Sequence, residues 1–259
     1  MRGIIIKKTV MAALCCMLLM GTASCARSVD PATGYRSHSI NDPLEFLNRT
    51  IFSFNNILDH MLIEPVSKVY LFVVPEFMRD GVQNFMRNLN SPIIIGNQIL
   101  QFDGKGAGVA VARFVINTTA GVGGLVDVAS RYGLEYEPED FGQTLGAWGL
   151  GHGFYLVLPV VGPSSLRDGV GIAVDGFADP VRIVAHNTEN EWIYYSRVGL
   201  EGLDTRARLL KAIQDLRQNS LDYYAAVRSA YVQKRISLVK DQKEASVAAI
   251  PDYDDDEMD

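Results

Sequence analysis

Cysteine is scarce in this chain of 259 residues, which has only Cys15, Cys16 and Cys25. The first two fall inside an export-type leader. One thiol is then left for the mature chain, so an intramolecular disulfide is excluded. Long apolar runs are also missing. A helix that crosses a bilayer needs roughly 20 apolar residues, and both the leader's apolar stretch (residues 9–21) and the run at 154–161 fall short. Positive charge is not in excess either, since the chain carries a net −6. Arg2, Lys7 and Lys8 put +3 on the leader, while Asp252, Asp254, Asp255, Asp256, Glu257 and Asp259 put −6 on the end. Residues 26–244 therefore sum to −3, without the basic face that nucleic-acid binding requires.

Reactive constellations are equally thin. His38, His60, His152 and His186 are far apart and lack metal-ligand spacing. There is no G-x-S-x-G elbow. Lys105 follows Gly104 without the spacing of a phosphate loop, and Gly149, Gly151 and Gly153 alternate too evenly for a dinucleotide fingerprint. His152, set among glycines, is the one histidine placed for a site, and a structural or solvent-facing role is the favoured reading. No catalytic residue, metal site or cofactor is expected. Strand signals are sparse as well: residues 154–158 are the best candidate, and one strand makes no sheet. The fold class expected is mostly α.

What is present begins with the leader. Arg2, Lys7 and Lys8 precede the apolar stretch, and Thr22, Ala23 and Ser24 are small residues before Cys25. This is the pattern of an export signal over 1–24. Its end resembles a lipobox, although Thr22 stands where leucine is usual, so Cys25 is the expected lipidation site. Stable anchoring takes more than one acyl chain. Ala26, where aspartate would favour the inner membrane, points to the outer one. Residues 25–40 read as a lipidated start and linker, 41–240 as one helical domain, and 241–259 as an acidic, disordered tail.

Within the domain, Asp42 and Pro43 are expected to cap and open a first helix. Leu47, Ile51, Phe54, Leu58 and Met61 would form its apolar stripe, read as core in preference to membrane contact, with Asn48, Arg49, Asn55 and Asn56 on other faces. Residues 66–74 form a short apolar segment, and Pro75 opens the next helix. Asn90, Ser91 and Pro92 should stop that helix and start another. Residues 105–117 are apolar nearly all round and should be buried or lipid-facing, except for Arg113, which is read as snorkelling or paired with a carboxylate in preference to a phosphate-headgroup contact. Gly121, Gly123 and Gly124 precede a short helix over 125–131, then a polar loop follows over 132–140. Ser164 or Ser165 caps a helix whose Arg167 and Asp168 could be surface charges. Asp179-Pro180 ends that helix, and long helical patterns follow from Asn190, with a break at Asn219-Ser220.

The densest feature is the stretch at 141–171, which holds Gly142, Gly146, Gly149, Gly151, Gly153, Gly162, Gly169 and Gly171 around the apolar run. Glycine permits close backbone approach and positive φ. The stretch could be a cavity wall, a re-entrant turn or a tightly packed core bend. If residues 154–159 are extended, Tyr155, Val157 and Pro159 share one face and Phe154, Leu156 and Leu158 the other.

These blocks resemble the MlaA (VacJ) family of outer-membrane lipoproteins. The likeness runs through Asp42-Pro43-Leu44-Glu45, Asn48-Arg49, Phe54-Asn55, Phe114, Asn117-Thr118, Gly121, Gly123-Gly124 and Asp127-Val128-Ala129. It continues through the 141–146 block, residues 149–159, Gly162-Pro163-Ser164, Arg167-Asp168 and Arg206-Ala207. Leu47 and Phe154 depart from it. The resemblance implies a ring-like helical protein in one membrane leaflet, with an amphipathic channel and no spanning helix. It implies removal of stray phospholipids from the outer leaflet, association with trimeric porins and transfer to a soluble periplasmic carrier. Gly149, Gly151, Gly153, Phe154, Tyr155, Leu156, Val157 and Leu158 are then the expected channel or lipid-binding residues. The alternative is an envelope adaptor lipoprotein with no transfer role.

Overall fold

The computed structural model describes residues 41–240. The leader, Cys25, the linker and the acidic tail lie outside the described residues. Helices dominate: α1 (Glu45–Leu58), a π-helix (Asp59–Ile63), α2 (Glu64–Val73), α3 (Glu76–Leu100) and α4 (Gly104–Thr119) form the first half. A 3₁₀ turn (Ala129–Tyr132), α5 (Phe141–Ala147) and strands β1 (Tyr155–Leu158) and β2 (Gly162–Ser165) follow. The chain then runs through α6 (Leu166–Ala178), α7 (Pro180–Asn187), α8 (Glu191–Arg208), α9 (Leu210–Asn219) and α10 (Tyr223–Val239). Among the described residues no helix is long and apolar enough to cross a membrane.

Some expected boundaries hold: Ser165 caps α6 by accepting a backbone N–H, and the chain breaks at Asp179-Pro180. Asp140, Asp179 and Asp222 also cap the helices that follow them. Others move. Asp42 caps nothing: α1 starts at Glu45, its N-cap is Leu44 with no side-chain bond, and Pro43 lies in the preceding turn. The apolar segment after Pro65 is not separate, because the π-helix joins α1 to α2 without a break. That widened turn comes just before Pro65, whose missing N–H would leave a gap in a regular α ladder. Pro92 stops nothing either. It sits inside α3, at an intrinsic cost of about 3 kcal/mol. Buried polar contacts on both sides offset that cost: Asn88 donates to Thr118 Oγ1 at 2.9 Å, and Thr144 donates to Asn97 Oδ1 at 2.8 Å. The short helix expected over 125–131 is only the 3₁₀ turn.

The strand expectation also needs correcting, since residues 155–158 do find a partner. β2 pairs antiparallel with β1, with Tyr155 opposite Ser165 and Leu158 opposite Gly162. Pro159 to Val161 make the loop, where Val160 and Gly162 have φ of 68° and 95°. The sequence of β2, Gly-Pro-Ser-Ser, has no apolar alternation to announce it.

The interior is largely polar. Asn48, Glu64, Asn97, Gln98, Arg113, Arg167, Asp168, Arg197, Asp204 and Arg235 are all buried, while the buried apolar cluster is Tyr155, Val157 and Tyr224, flanked by Ile51, Phe52 and Tyr231. The outside carries Phe46, Phe72, Phe77, Phe102, Phe177 and Trp192, with Phe72 and Phe102 more than 90% exposed. The stripe expected to be core in α1 lies on this outer side: Leu47, Phe54 and Met61 are exposed. The inward face is the neighbouring one, one residue along, bearing Asn48, Phe52, Asn55 and Asp59. Ile51 and Leu58 of the same stripe are half-buried, Ile51 against the apolar cluster, so the period holds and the inward face is turned by one residue.

Candidate functional site

That inward face of α1 grips the hairpin. The Asn48 amide, 1% exposed, donates through Nδ2 to the Tyr155 carbonyl at 2.9 Å and accepts from the Val157 N–H at 2.9 Å. Two turns on, Asn55 repeats the arrangement: Nδ2 donates to the Leu158 carbonyl at 2.8 Å and Oδ1 accepts from the Val160 N–H at 2.8 Å. The Tyr155 N–H donates to the Asn41 carbonyl at 2.9 Å. Side-chain amides thus close the open edge of β1 where a third strand would otherwise be needed. Asparagine suits this because its donor meets the carbonyl of one residue while its acceptor takes the N–H two residues further on.

Asp42 belongs to the same clamp. It accepts from Asn48 Nδ2 at 2.8 Å, from Arg228 at 2.7 Å and from the Tyr224 hydroxyl. Burial pushes its pKa up, but those three donors outweigh it and the carboxyl titrates below the usual range. Arg49 grips Asp222 with both terminal nitrogens, at 2.6 and 3.3 Å, and donates to Glu45 at 2.7 Å. Its guanidinium lies 4.4 Å from the Tyr224 ring centre. Asp222 is the cap of α10, so Asp42, Asn48 and Arg49 join the first helix, the hairpin and the last helix at one point. Pro43 is exposed in the turn beside them.

Arg167 and Asp168 are not surface charges. Both are buried, 2.9 Å apart. Asp168 also accepts from Arg235 at 2.9 Å and from the Tyr231 hydroxyl, and Arg235 reaches on to Asp140 at 2.6 and 2.9 Å. Burial again opposes the charged form of Asp168, and Tyr231, Arg235 and Arg167 together hold its pKa below the ordinary range. Glycine lets this cluster close. A Cβ on Gly171 would lie 2.4 Å from the Gly142 nitrogen, and one on Gly142 would lie 2.7 Å from Asp168 Oδ1. A Cβ on Gly146 would meet Arg167 at 2.8 Å and Val239 at 2.9 Å.

The middle of the stretch differs. A Cβ on Gly149 or Gly151 would meet nothing within 4 Å, and Gly149 (φ 91°) and Gly153 (φ 68°) adopt left-handed backbone. Along the strand, Tyr155 and Val157 are buried against α1 and α10, whereas Leu156 and Leu158 are half-buried, as extended alternation requires. Phe154 is half-buried and Pro159 exposed, beyond the strand. The eight candidate residues therefore fall into an open glycine segment and a half-buried strand. A cleft of 710 Å³ lies elsewhere, lined by Asp103, Lys105, Glu135, Glu139, Gln143 and Leu238 among others, and a second of 370 Å³ lies between α6, α7 and α8. Neither includes a residue from 149 to 158.

Arg113 takes the reading favoured for it. It is buried, 2.8 Å from Asp127, and also donates to Ser130 at 3.0 Å and to the Leu134 carbonyl. Asn117 accepts from the Ala129 N–H at 2.9 Å and donates to Asp127 at 3.0 Å. Burial alone would raise the Asp127 pKa, yet Ser130, Arg113 and Asn117 bring it down to about 2.

A family model described as MlaA lipoprotein matches residues 40–237. This chain belongs to the MlaA lipoprotein family. It is 37% identical to the intermembrane phospholipid transport system lipoprotein MlaA of Escherichia coli (strain K12), over 91% of this chain and 92% of that one. With the MlaA lipoprotein of Haemophilus influenzae it shares 34% identity over 78% and 81% of the two chains. A solved structure described as the structural basis for maintenance of bacterial outer membrane lipid asymmetry superposes with a TM-score of 0.68 at 37% identity. It covers 77% of this chain and 99% of that one. The MlaA-family blocks picked out in the sequence are thus mostly joints: Asp42, Asn48, Arg49, Arg167 and Asp168 hold elements together. Sequence reasoning missed their partners Tyr224, Arg228 and Arg235 and gave Asn55 no role on the hairpin. The one available signal was asparagine recurring seven residues apart beside an apolar stripe.

Proposed function

We propose that this protein is an outer-membrane lipoprotein that takes mislocalised phospholipids from the outer leaflet and passes them inward, maintaining lipid asymmetry. The observation that carries this reading is the inverted distribution of polarity in an MlaA-family chain. Large aromatic side chains such as Phe46, Phe72, Phe77 and Phe102 point outward, and ion pairs such as Arg113–Asp127 and Arg167–Asp168 lie inside. Apolar surface of that kind marks a membrane or protein interface. Irregular backbone at membrane depth is tolerated only where it is buried or lines a cavity. Gly149, Gly151 and Gly153 supply irregular backbone, with open space beside the first two, and we assign this segment and the neighbouring residues 154–158 to the lipid path. Cys25 would carry the acyl anchor on a protein facing the periplasm, with a trimeric porin and a soluble periplasmic carrier as partners. Transfer needs no covalent step, and no catalytic residue is assigned.

Bulky substitution at Gly151 tests the reading. Gly151→Leu should raise outer-leaflet phospholipid in cells while the protein's abundance stays normal. Unchanged lipid asymmetry at normal abundance would count decisively against the assigned path. Mass spectrometry of the mature N-terminus checks the anchor, and an unmodified Cys25 would remove it.

A further inference from the structure

Buried and half-buried arginines in this fold generally carry a carboxylate: Arg113 has Asp127, Arg167 has Asp168, Arg197 has Asp179, Arg206 has Asp59 and Arg235 has Asp140. Half-buried Arg79, Arg87 and Arg182 are the contrast, with no ion pair to a carboxylate among the described residues, and of these Arg182 lines a cleft of small-molecule size. Two aromatic rings hold its guanidinium instead, Phe177 with its centre at 4.5 Å and Tyr194 at 5.8 Å, and one nitrogen donates to the Gly176 carbonyl at 3.0 Å. Stacking of this kind pins the fork without neutralising its charge. Its other N–H groups are left for a ligand.

Arg182 lines the 370 Å³ cleft between α6, α7 and α8, a volume in the range of small-molecule sites. Exposed Phe177, Ile183 and Tyr195 make the cleft's apolar lining. Glu191 at its edge is engaged by His186 Nδ1 at 3.0 Å. A stacked, unneutralised guanidinium suits a phosphate, which it can grip with two parallel hydrogen bonds, and the aromatic and aliphatic walls suit a hydrocarbon chain.

We propose that this cleft binds a phosphodiester-bearing amphiphile, with Arg182 on the phosphate and Phe177, Ile183 and Tyr195 along the chain. The site is separate from the glycine segment. The inference rests on the transport reading only in giving the site a use, and binding can be measured whether or not the assigned path fails in cells.

The test is calorimetric titration of the full-length protein in a phosphate-free, non-ionic detergent. The probe is dihexanoyl phosphatidylglycerol, with inorganic phosphate and dihexanoylglycerol as competitors. Saturable binding of the phospholipid is expected, with neither competitor displacing it at equal concentration. Arg182→Gln should weaken binding roughly tenfold or more, as loss of a charge-assisted hydrogen bond does, and Arg182→Lys should restore part of it. Displacement by inorganic phosphate would overturn the proposal in favour of a free-anion site, and equal displacement by dihexanoylglycerol would reduce it to an apolar slot. Full affinity in an Arg182→Gln protein with unchanged circular dichroism would also overturn it. If that variant does not fold, competition in the unmodified protein decides.

Discussion

Glycines 142, 146 and 171 and glycines 149 and 151 belong to one stretch of the chain, yet their surroundings are opposite. The first three are pressed against backbone or charged side chains at distances no Cβ could share, and the other two face open space. In the first group glycine is needed because α5, α6 and α10 close over the Arg167–Asp168–Arg235 cluster. In the second it lets the backbone turn, as φ of 91° at Gly149 requires. A high density of glycine therefore marks two different constraints, and only the packed one is about stability.

The comparison can be broken by mutation. Gly171→Ala is expected to have the largest effect, a loss of about 3 kcal/mol, because backbone at 2.4 Å cannot yield as a side chain would. Urea unfolding at pH 7 checks it, and a midpoint near that of the parent would show that the helices can separate without cost. Next comes Asn48→Ala, which strands the buried Val157 N–H and Tyr155 carbonyl. A loss of about 2 kcal/mol is expected, with faster hydrogen exchange at Val157. No change in exchange there would mean that the hairpin stands without its clamp.

Acid should affect the packed, charged side as well. The carboxyls of Asp127, Asp140 and Asp168 titrate below their ordinary values in the fold. Their contribution is therefore complete above the unfolded carboxylate pKa of about 4. It is lost as pH falls through the folded values, about 2 for Asp127. Melting temperature should stay level from pH 7 to 5 and then drop toward pH 2, and a flat profile over that lower window would contradict the assignment. Gly151→Ala is expected to have the smallest effect, within about 0.5 kcal/mol. A large loss would place Gly151 with the packed glycines and remove it from the lipid path.

Part of the architecture was legible in the sequence because helix boundaries are set locally. Ser165 acts within three residues of itself, and the Asp179-Pro180 break falls where α6 gives way to α7. Pro92 was misread for the complementary reason: contacts from distant Thr118 and Thr144 override a local signal. β2 went unseen because Gly-Pro-Ser-Ser has no period and becomes a strand only when β1 lies beside it. Of the candidate site, the family blocks were visible, but the partners of Asp42, Asn48, Arg49 and Asp168 lie far along the chain, and no spacing rule reaches them.

By itself the sequence determined helical content, the glycine-dense stretch and the MlaA resemblance, all of which follow from neighbours along the chain. Tertiary structure decided which side of each helix faces in. Leu47, Ile51, Phe54 and Leu58 keep the same period as Asn48, Phe52, Asn55 and Asp59. Hydrophobic burial in water would favour the first set inside, yet Leu47 and Phe54 are exposed and Ile51 and Leu58 only half-buried. The second set turns inward because Asn48, Asn55 and Asp59 find hydrogen-bond partners on β1, Val160 and α8. A polar group can be buried when its partner is already in place, and only the folded chain supplies that partner.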